Sequence, residues 1–482
     1  MQTNNNKELH HKNTKIVATV GPASDSYETL LELIKAGVDI FRLNFSHGAH
    51  EQKLEIIQRI IYIREKYNYH VGILADLQGP KLRVGKIKDE PLMLEKDDVI
   101  TFINKECEGT REGIYMSYTQ LAKDVNPDEV ILVDDGKIQL QVLESNGKDE
   151  VKLKVLHGGP LKSNKGVNLP NTKISLPSLT EKDKKDLDFI LTQPINWIAL
   201  SFVRSPKDMK DLRALIEAKE HPAKIIAKIE KPEAVEKIDK IIKNSNGIMI
   251  ARGDLGIEVP IEELPVIQKS IIKKCIQRAR PVIVATQMME SMMKNPTPTR
   301  PEVTDVANAV LDGADAVMLS GETAVGDHPV RVVETMDRII ATVETNDAYS
   351  VDSPMPAPKA STFLSDVVCI NAVNVAKQVN AKALTGMTVS GYTAFKLSSC
   401  RPKRKIYIFS EHIHMLATLN LVWGVHCYYY DKYNSTDETI HDLIEILKND
   451  GKLEPSDLVV NLMAMPINRR FMTNTLKVTE VE

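Results

Sequence analysis

The segment KIIAKIEKPEAVEKIDKIIKNSNGIMIARGD, residues 224–254, decides the fold of this chain. Two short apolar runs, Lys224 to Ile229 and Gly247 to Ala251, flank a longer segment in which apolar residues recur every three or four positions. Short apolar runs are typical of parallel strands buried on both faces, and the intervening periodicity is typical of a covering helix. The segment therefore predicts a strand, a helix and a second parallel strand.

The same alternation continues through much of the chain, which contains eight such runs. Eight strands, each followed by a helix, are the number that closes a (β/α)8 TIM barrel. We therefore predict an α/β fold, whose other barrel strands are Lys15 to Val20, Asp39 to Leu43, Val71 to Ala75, Trp197 to Phe202, Pro281 to Ala285 and Ala314 to Leu319.

The connection between the third and fourth runs is too long for a loop. It spans about a hundred residues, and a connection of that size carries structure of its own. Residues 137–142 and 151–155 alternate polar with apolar side chains, and Ser145-Asn146-Gly147 between them is a hairpin signal. We predict an inserted, β-barrel-like domain that acts as a lid on the short connections Gly79-Pro80 and Leu169-Pro170.

A proline-rich stretch, Asp352 to Pro358, places three prolines in five residues and predicts a linker. A helix over 361–379 and five strand-like runs after it indicate an open α/β domain. The predicted domains are a barrel over residues 1–79 and 171–346, the lid over 80–170, the linker over 347–360 and a C-terminal α/β regulatory domain over 361–482.

The composition is that of an ordinary folded protein. The 482 residues carry 62 Lys and Arg against 65 Asp and Glu, a net charge of -3, so neither nucleic acid nor an anionic membrane is expected as a partner. No signal peptide or membrane-spanning run is evident, and the five cysteines are scattered, as in a reducing compartment. These features predict a cytoplasmic protein.

Chemistry in such barrels gathers at the carboxyl ends of the strands, which are unusually polar here. Glu230 and Asp254 follow adjacent strands and provide the one or two carboxylates that hold Mg²⁺ when a substrate phosphate supplies other ligands. The alternative is a buried salt bridge of these carboxylates to Lys228 or Arg252. No G-x-x-x-x-G-K-[ST] motif occurs, so nucleotide phosphates, if bound, are not held by a P-loop.

Several long motifs in the chain resemble those of the pyruvate kinase family, in the family's order and across essentially the full length. They are Thr14 to Ser24 (TKIVATVGPAS), Arg42 to Gly48 (RLNFSHG), Asn164 to Pro170 (NKGVNLP), Ile226 to Glu230 (IAKIE), Ala251 to Gly256 (ARGDLG), Ala285 to Met288 (ATQM) and Leu319 to Thr323 (LSGET).

The resemblance implies the glycolytic transfer of the phosphoryl group of phosphoenolpyruvate to ADP, giving pyruvate and ATP. It implies a Mg²⁺ or Mn²⁺ ion on Glu230 and Asp254, and Lys228 and Arg42 on the transferring phosphoryl group. The remaining roles implied are Gly253 and Asp254 on the substrate carboxylate, Thr286 beside the carbon that is protonated, and Arg42, His47, Arg83 and Lys165 on the nucleotide.

Two positions depart from the K⁺-dependent members of the family. Those members bind K⁺ with residues matching Asn44, Ser46 and Asp76 and a threonine after the aspartate, and they have a glutamate after the Gly-Pro. Here these last two positions are Leu77 and Lys81. Leucine offers no side-chain oxygen and lysine carries a fixed ammonium, so the hypothesis is that K⁺ is not required. In the alternative, Lys81 points to solvent.

The C-terminal domain departs from the family at its site for a phosphorylated effector. Residues 388–393 resemble the phosphate loop, with Thr388, Ser390 and Thr393 as candidate effector-binding residues, but Val389 and Tyr392 replace basic residues. The later loop over 464–471 lacks the family's glycines. We expect weak or absent activation by fructose 1,6-bisphosphate, although Lys403, Arg404, Arg469 and Arg470 keep a different anion open.

Two other functions compete with this interpretation. A lyase or aldolase could use the same Mg²⁺ site on a pyruvate enolate without a nucleotide, but Arg83, Lys165 and the insert argue against it. A catalytically idle, regulatory chain is opposed by the presence of Lys228, Glu230, Asp254 and Thr286. The family resemblance also implies a homotetramer.

Overall fold

The computed structural model describes residues 12–346, 354–356, 358, 360–432, 435–466 and 472–482. Most of the predicted linker, and Arg469 and Arg470, lie outside these residues. The chain begins with alternating strands and helices whose strands are buried on both faces: β1 (Lys15–Thr19), α1 (Tyr27–Ala36), β2 (Ile40–Asn44), α2 (His50–Tyr67) and β3 (Gly72–Asp76).

The long connection after β3 folds as the predicted β-rich insert. Its elements are β4 (Leu92–Leu94), β5 (Val99–Ile103), β6 (Ile114–Tyr115), α3 (Leu121–Asp124), β7 (Val130–Val133), β8 (Ile138–Ser145), β9 (Glu150–His157), β10 (Gly159–Leu161) and β11 (Val167–Asn168). The predicted hairpin is β8 with β9, and Gly147 in its turn has φ +69°. A six-stranded sheet, in the order β11-β7-β8-β9-β5-β6, buries its own apolar cluster.

The chain then returns to the barrel. Its elements are α4 (Glu181–Ile190), β12 (Trp197–Leu200), α5 (Pro206–Glu217), β13 (Lys224–Ile229), α6 (Pro232–Glu236), α7 (Ile238–Asn244), β14 (Gly247–Ala251), α8 (Arg252–Glu258), α9 (Leu264–Gln277), β15 (Val282–Ala285), α10 (Arg300–Leu311), β16 (Ala316–Leu319), α11 (Gly321–Ala324) and α12 (Pro329–Glu344), with 3₁₀ turns at Ile261–Glu263 and Glu290–Met293.

The eight predicted strands close into a parallel barrel, in the order β1-β16-β15-β14-β13-β12-β3-β2. The prediction of a (β/α)8 barrel is therefore confirmed. Its interior is filled by apolar side chains, of which Trp197 is the largest and is completely buried. Because all strands are parallel, their carboxyl ends open at one end of the barrel, next to the insert.

The C-terminal part is an open α/β domain, as predicted. Its elements are α13 (Phe363–Gln378), β17 (Ala383–Met387), α14 (Tyr392–Ser399), β18 (Lys405–Ser410), α15 (Ile413–Leu419), β19 (Val425–Tyr429), α16 (Thr436–Asn449), β20 (Leu458–Met463) and β21 (Thr475–Glu480). The sheet order is β19-β18-β17-β20-β21, and only β21 runs antiparallel to its neighbour.

The C-terminal domain closes the amino-terminal end of the barrel. Leu421 joins the apolar cluster inside the barrel, and Nε1 of Trp197 donates to the carbonyl of Thr418 at 3.1 Å. A buried ion pair between Arg401 and Asp315, 3.0 Å apart, links the two domains nearby. These contacts cover the amino-terminal end of the barrel and leave the carboxyl ends of the strands uncovered by the C-terminal domain. Among the described residues, no helix is long and apolar enough to span a membrane.

Candidate active site

Four charged side chains meet at the carboxyl ends of β2, β3 and β13. Nε of Arg42 donates to Oδ2 of Asp76 at 2.7 Å, and Nζ of Lys228 lies 3.3 Å from Oδ1 of the same carboxylate. The Lys228 ammonium also lies 3.0 Å from Oε1 of Glu230 and donates to Oγ of Ser201 at 2.8 Å. The side chains of Asp76 and Glu230 are 1% exposed, whereas those of Arg42 and Lys228 are 12% and 11% exposed. The two buried carboxylates therefore hold the two cations in place, and the cations keep a small exposed fraction.

The charges in this cluster control one another's protonation. Burial opposes the charge of Lys228, but the carboxylates of Asp76 and Glu230 outweigh it and raise the pKa of the ammonium. Burial likewise opposes ionisation of Asp76, and Lys228 and Arg42 overcome it and lower the pKa of that carboxyl. Burial raises the pKa of Glu230 against the effect of Lys228, and Asp254 raises it further. Asp254 is thus close enough to Glu230 to act electrostatically on it.

A second group of residues follows β14 and β15. Gly253, in the first turn of α8, donates its N–H to Oγ1 of Thr286 at 2.7 Å, and this hydroxyl donates to the carbonyl of Ala285 at 2.6 Å. A Cβ added to Gly253 would lie 3.3 Å from Oγ1 of Thr286, so glycine permits the close approach. Thr286 has φ +70°, which is rare for a β-branched residue and indicates backbone strain at this position. Asp254, next to Gly253, faces the Lys81 ammonium at 3.5 Å.

The salt-bridge alternative for the two carboxylates is realised in part. Glu230 does form a salt bridge with Lys228, whereas Arg252 pairs with Asp305 at 2.6 Å and not with either candidate metal ligand. Oε1 of Glu230 is nevertheless buried without a hydrogen bond of good geometry among the described residues. Carboxylate oxygens are the donors that Mg²⁺ and Mn²⁺ prefer, and Glu230 with the partly exposed Asp254 supplies them. The residues present therefore fit a divalent ion.

Comparison with known proteins shows the family to which this chain belongs. The family model of the pyruvate kinase barrel domain matches residues 11–333, and that of the pyruvate kinase alpha/beta domain matches residues 366–479. The chain belongs to the pyruvate kinase family. The predicted resemblance is confirmed, and the chain is thereby shown to be an enzyme of this family.

Individual pyruvate kinases are similar over nearly the whole chain. One from Staphylococcus epidermidis is 39% identical over 97% of this chain and 80% of its own length. One from Corynebacterium efficiens is 41% identical over 97% of each chain. The crystal structure of a pyruvate kinase from Cryptosporidium parvum superposes with a TM-score of 0.91 at 35% identity, covering 98% of this chain and 96% of the other. The arrangement of barrel, insert and C-terminal domain is therefore that of a pyruvate kinase.

The predicted nucleotide residues are divided between the barrel, which carries Arg42 and His47, and the insert, which carries Arg83 and Lys165. Burial lowers the pKa of His47, and nearby cations lower it further, beginning with Arg83. The side chain of Arg83, in the insert, donates to the carbonyl of Asn164 at 2.9 Å. Lys165 pairs with Asp134 at 2.8 Å, within the insert. Arg83 and Lys165 are thus both engaged by partners within the insert.

The residues matching the family's K⁺ ligands are largely occupied by protein partners. Both oxygens of Asp76 face Arg42 or Lys228, and Oδ1 of Asn44 accepts from the N–H of Ser46 at 3.0 Å. Leu77 is 1% exposed. Lys81 does not point only to solvent, because its ammonium faces Asp254.

The candidate effector loop satisfies its own hydrogen bonds. Oγ1 of Thr388 accepts from the N–H of Gly391 at 2.9 Å, and Oγ of Ser390 accepts from the N–H of Tyr392 at 3.4 Å. Oγ1 of Thr393 lies 2.6 Å from Oγ1 of Thr473, and the hydroxyl of Tyr392 donates to Asp366 on α13. A phosphate would have to displace the hydroxyl oxygens of Thr388 and Ser390 in order to accept from the N–H groups of Gly391 and Tyr392.

Sequence reasoning missed one buried charged group beside the site. Oε1 of Glu258, at the end of α8, accepts from Nζ of Lys231 at 2.6 Å and from Nδ2 of Asn168 at 2.8 Å. The one available signal was that Glu258 lies four residues after Asp254 and hence on the same side of α8. The partnership with Asn168, in the insert, has no local signature.

Proposed function

We propose that the protein transfers the phosphoryl group of phosphoenolpyruvate to ADP, producing pyruvate and ATP. The observation that carries this proposal is the Lys228 ammonium, held between Asp76 and Glu230 at the open end of the barrel and close to Asp254. A fixed cation beside a two-carboxylate metal site is suited to phosphoryl transfer, where catalysis is mainly positioning and charge stabilisation.

Glu230 and Asp254 would hold the divalent ion, Mg²⁺ or Mn²⁺. When bound, the ion polarises the phosphoryl oxygens of the substrate and neutralises part of their charge. No group of three or more His, Cys, Asp or Glu side chains suited to a metal occurs in the described ranges, so the two carboxylates need further ligands from the substrate.

Lys228 and Arg42 would bind the phosphoryl group from two sides. Each is oriented by Asp76, at 3.3 and 2.7 Å, so neither has to be reorganised when the charge on the equatorial oxygens changes. The N–H of Asp254 would hold the substrate carboxylate, joined by the N–H of Gly253 when the latter exchanges its hydrogen bond with Oγ1 of Thr286 for one to the substrate. Arg83, Lys165 and His47 would then act on the nucleotide phosphates, together with the exposed edge of Arg42.

Thr286 would act in the second step, the protonation of the pyruvate enolate at carbon. A threonine hydroxyl is a weak acid, so we assign it the placement or relay of a proton through water. Its hydrogen bonds to the N–H of Gly253 and the carbonyl of Ala285 fix the oxygen in position. Closure of the insert over the barrel would exclude bulk water and favour transfer to ADP over hydrolysis.

The decisive experiment measures ATP formation from phosphoenolpyruvate and ADP with purified protein and Mg²⁺. Lys228→Met is the matched control, since it keeps the length of the side chain but removes the charge. We expect ATP from the wild type and a fall of about 10²–10³-fold in kcat for the variant. Phosphoenolpyruvate consumption without ATP would favour the lyase, and no turnover at all would favour an idle chain.

Activity should not require K⁺. The ammonium of Lys81, 3.5 Å from Asp254, supplies a permanent positive charge at the cleft, and Leu77 offers no oxygen ligand. Rates measured in Na⁺-free and K⁺-free buffer, with tetramethylammonium as the counter-ion, should change by less than twofold when K⁺ is added. Strong K⁺ activation would refute this proposal.

Fructose 1,6-bisphosphate should activate the enzyme weakly or not at all, because Thr388 and Ser390 bind their own loop and Val389 and Tyr392 carry no positive charge. The measurement is the phosphoenolpyruvate concentration at half-maximal rate, with and without the effector. We also propose a cytoplasmic homotetramer with the predicted domain boundaries, for which sedimentation and limited proteolysis are the tests.

A further inference from the structure

Glu258 lies where the barrel, the insert and the candidate metal site meet. Its side chain is 1% exposed, and that of its ion-pair partner Lys231 is 7% exposed. One oxygen, Oε1, accepts from both Lys231 at 2.6 Å and the side-chain amide of Asn168 at 2.8 Å. All three side chains line a small cleft that is also lined by Asp254 and Lys81. The contact therefore lies beside the candidate metal ligand Asp254.

The three partners come from segments with different tasks. Lys231 directly follows Glu230, Glu258 ends the helix whose first turn contains Asp254, and Asn168 is the last residue of β11 in the insert. Arg83 pairs with Gly166 just before β11. A single carboxylate thus ties both candidate metal ligands to the part of the insert that carries the candidate nucleotide residues.

Stability alone is a poor reason for this arrangement. Oε2 of Glu258 is buried and has no hydrogen-bond partner among the described residues. An unsatisfied carboxylate oxygen in the interior costs free energy, and a buried ion pair is often no more stabilising than apolar residues of similar size. The cost is understandable if the carboxylate sets a geometry that the reaction needs.

We propose that Glu258 is a positioning residue that fixes the angle of the insert over the barrel, and so places the nucleotide against the phosphoryl group. The inference rests on the proposed function. A hydrogen bond to a carboxylate is about twice as strong as one between neutral groups, so Asn168 is held firmly in this pose and less firmly once the charge is removed. Phosphoenolpyruvate, bound by the barrel alone, should not depend on this contact.

An exchange of the two functional groups separates positioning from mere folding. Asn168→Asp places two carboxylates against each other, and Glu258→Gln removes the charge that faces Lys231. The double variant restores one carboxylate and one amide in exchanged positions, and Lys231 can again face a carboxylate. A milder variant, Asn168→Ala, leaves the buried ion pair intact and should fold even where the other single variants do not.

The experiment measures kcat/KM for ADP at saturating phosphoenolpyruvate and Mg²⁺, and binding of phosphoenolpyruvate with Mg²⁺ by titration calorimetry. We expect each charge-changing single variant to lose at least tenfold in kcat/KM for ADP, Asn168→Ala about fivefold, and the double variant to recover most of the loss. The affinity for phosphoenolpyruvate should stay within twofold in Asn168→Ala, which leaves the ion pair of Glu258 with Lys231 on the barrel intact. Glu236→Gln, on the exposed face of α6, is the control and should match the wild type.

Three results would overturn the inference: single variants with normal ADP kinetics, a double variant no better than the worse single variant, or equal losses in phosphoenolpyruvate binding and ADP use. The proposed function fails separately, because it is tested by the wild type. A wild type that binds phosphoenolpyruvate but forms no ATP would contradict the activity assignment before any variant is compared.

Discussion

Asp76 and Asp254 offer a matched pair of isosteric substitutions with opposite structural settings. Asp76 is 1% exposed and faces two cations, Arg42 at 2.7 Å and Lys228 at 3.3 Å. Asp254 is 27% exposed and faces Lys81, itself 35% exposed, at 3.5 Å. Replacing either aspartate by asparagine removes one negative charge without changing the size of the side chain.

The expected losses of stability differ severalfold. Removing one partner from a buried ion pair costs about 3–5 kcal/mol, because the remaining charges stay buried without compensation. Asp76→Asn should therefore lower the free energy of unfolding of the barrel by about 3–5 kcal/mol. A partly exposed pair is screened by water and contributes about 0.2–1 kcal/mol. Asp254→Asn should therefore cost less than about 1 kcal/mol, although it should weaken metal binding.

Urea denaturation followed by tryptophan fluorescence provides the assay. The chain has 2 tryptophans, and a Trp423→Phe background leaves Trp197, inside the barrel, as the sole reporter. Both aspartate variants are compared in that background with the unsubstituted aspartates. Equal losses for the two variants would refute the reasoning, because they would show that burial and the second cation add nothing to the strength of the Asp76 network.

Three further outcomes are expected. Thr286→Val should slow the exchange of pyruvate methyl hydrogens with D₂O by about 10²-fold, because it removes the hydroxyl that places the proton. The exchange is measured by NMR, and Thr286→Ser should restore much of the rate. Leu421→Ala should lower the stability of the barrel in calorimetry by about 2–5 kcal/mol, because it leaves a cavity at the closed end. Chelation by EDTA should abolish turnover and either Mg²⁺ or Mn²⁺ should restore it, with a higher half-activating concentration in Asp254→Asn.

The barrel could be predicted because its strands are buried on both faces. In β14 and β16 every residue is buried, so the apolar run in the sequence coincides with the strand itself. The candidate catalytic residues could be located for the same reason, since polar residues can follow such a run only where the strand leaves the core. Lys228 is the informative exception, because it lies within β13 and its charge is largely removed from solvent beside the carboxylates of Asp76 and Glu230.

Contacts between distant segments could not be predicted. Asn168 and Glu258 are 90 positions apart, and their contact depends on how the insert lies against the barrel. The partner of Lys81 was likewise beyond the reach of sequence reasoning, which placed its ammonium near the K⁺ ligands. The chain turns into the insert after Gly79, and this turn directs Lys81 toward Asp254.

The charge balance of the site supports the proposal that K⁺ is not required. Three carboxylates, those of Asp76, Glu230 and Asp254, face three cations, Arg42, Lys228 and Lys81, so the two sets cancel before a divalent ion or substrate binds. With glutamate in place of Lys81, as in the K⁺-dependent members of the family, four carboxylates would face two cations. Two negative charges in excess would then need an extra cation in the cleft. Under the proposal, Lys81 carries a positive charge on the chain itself and takes over the electrostatic role of the bound monovalent ion.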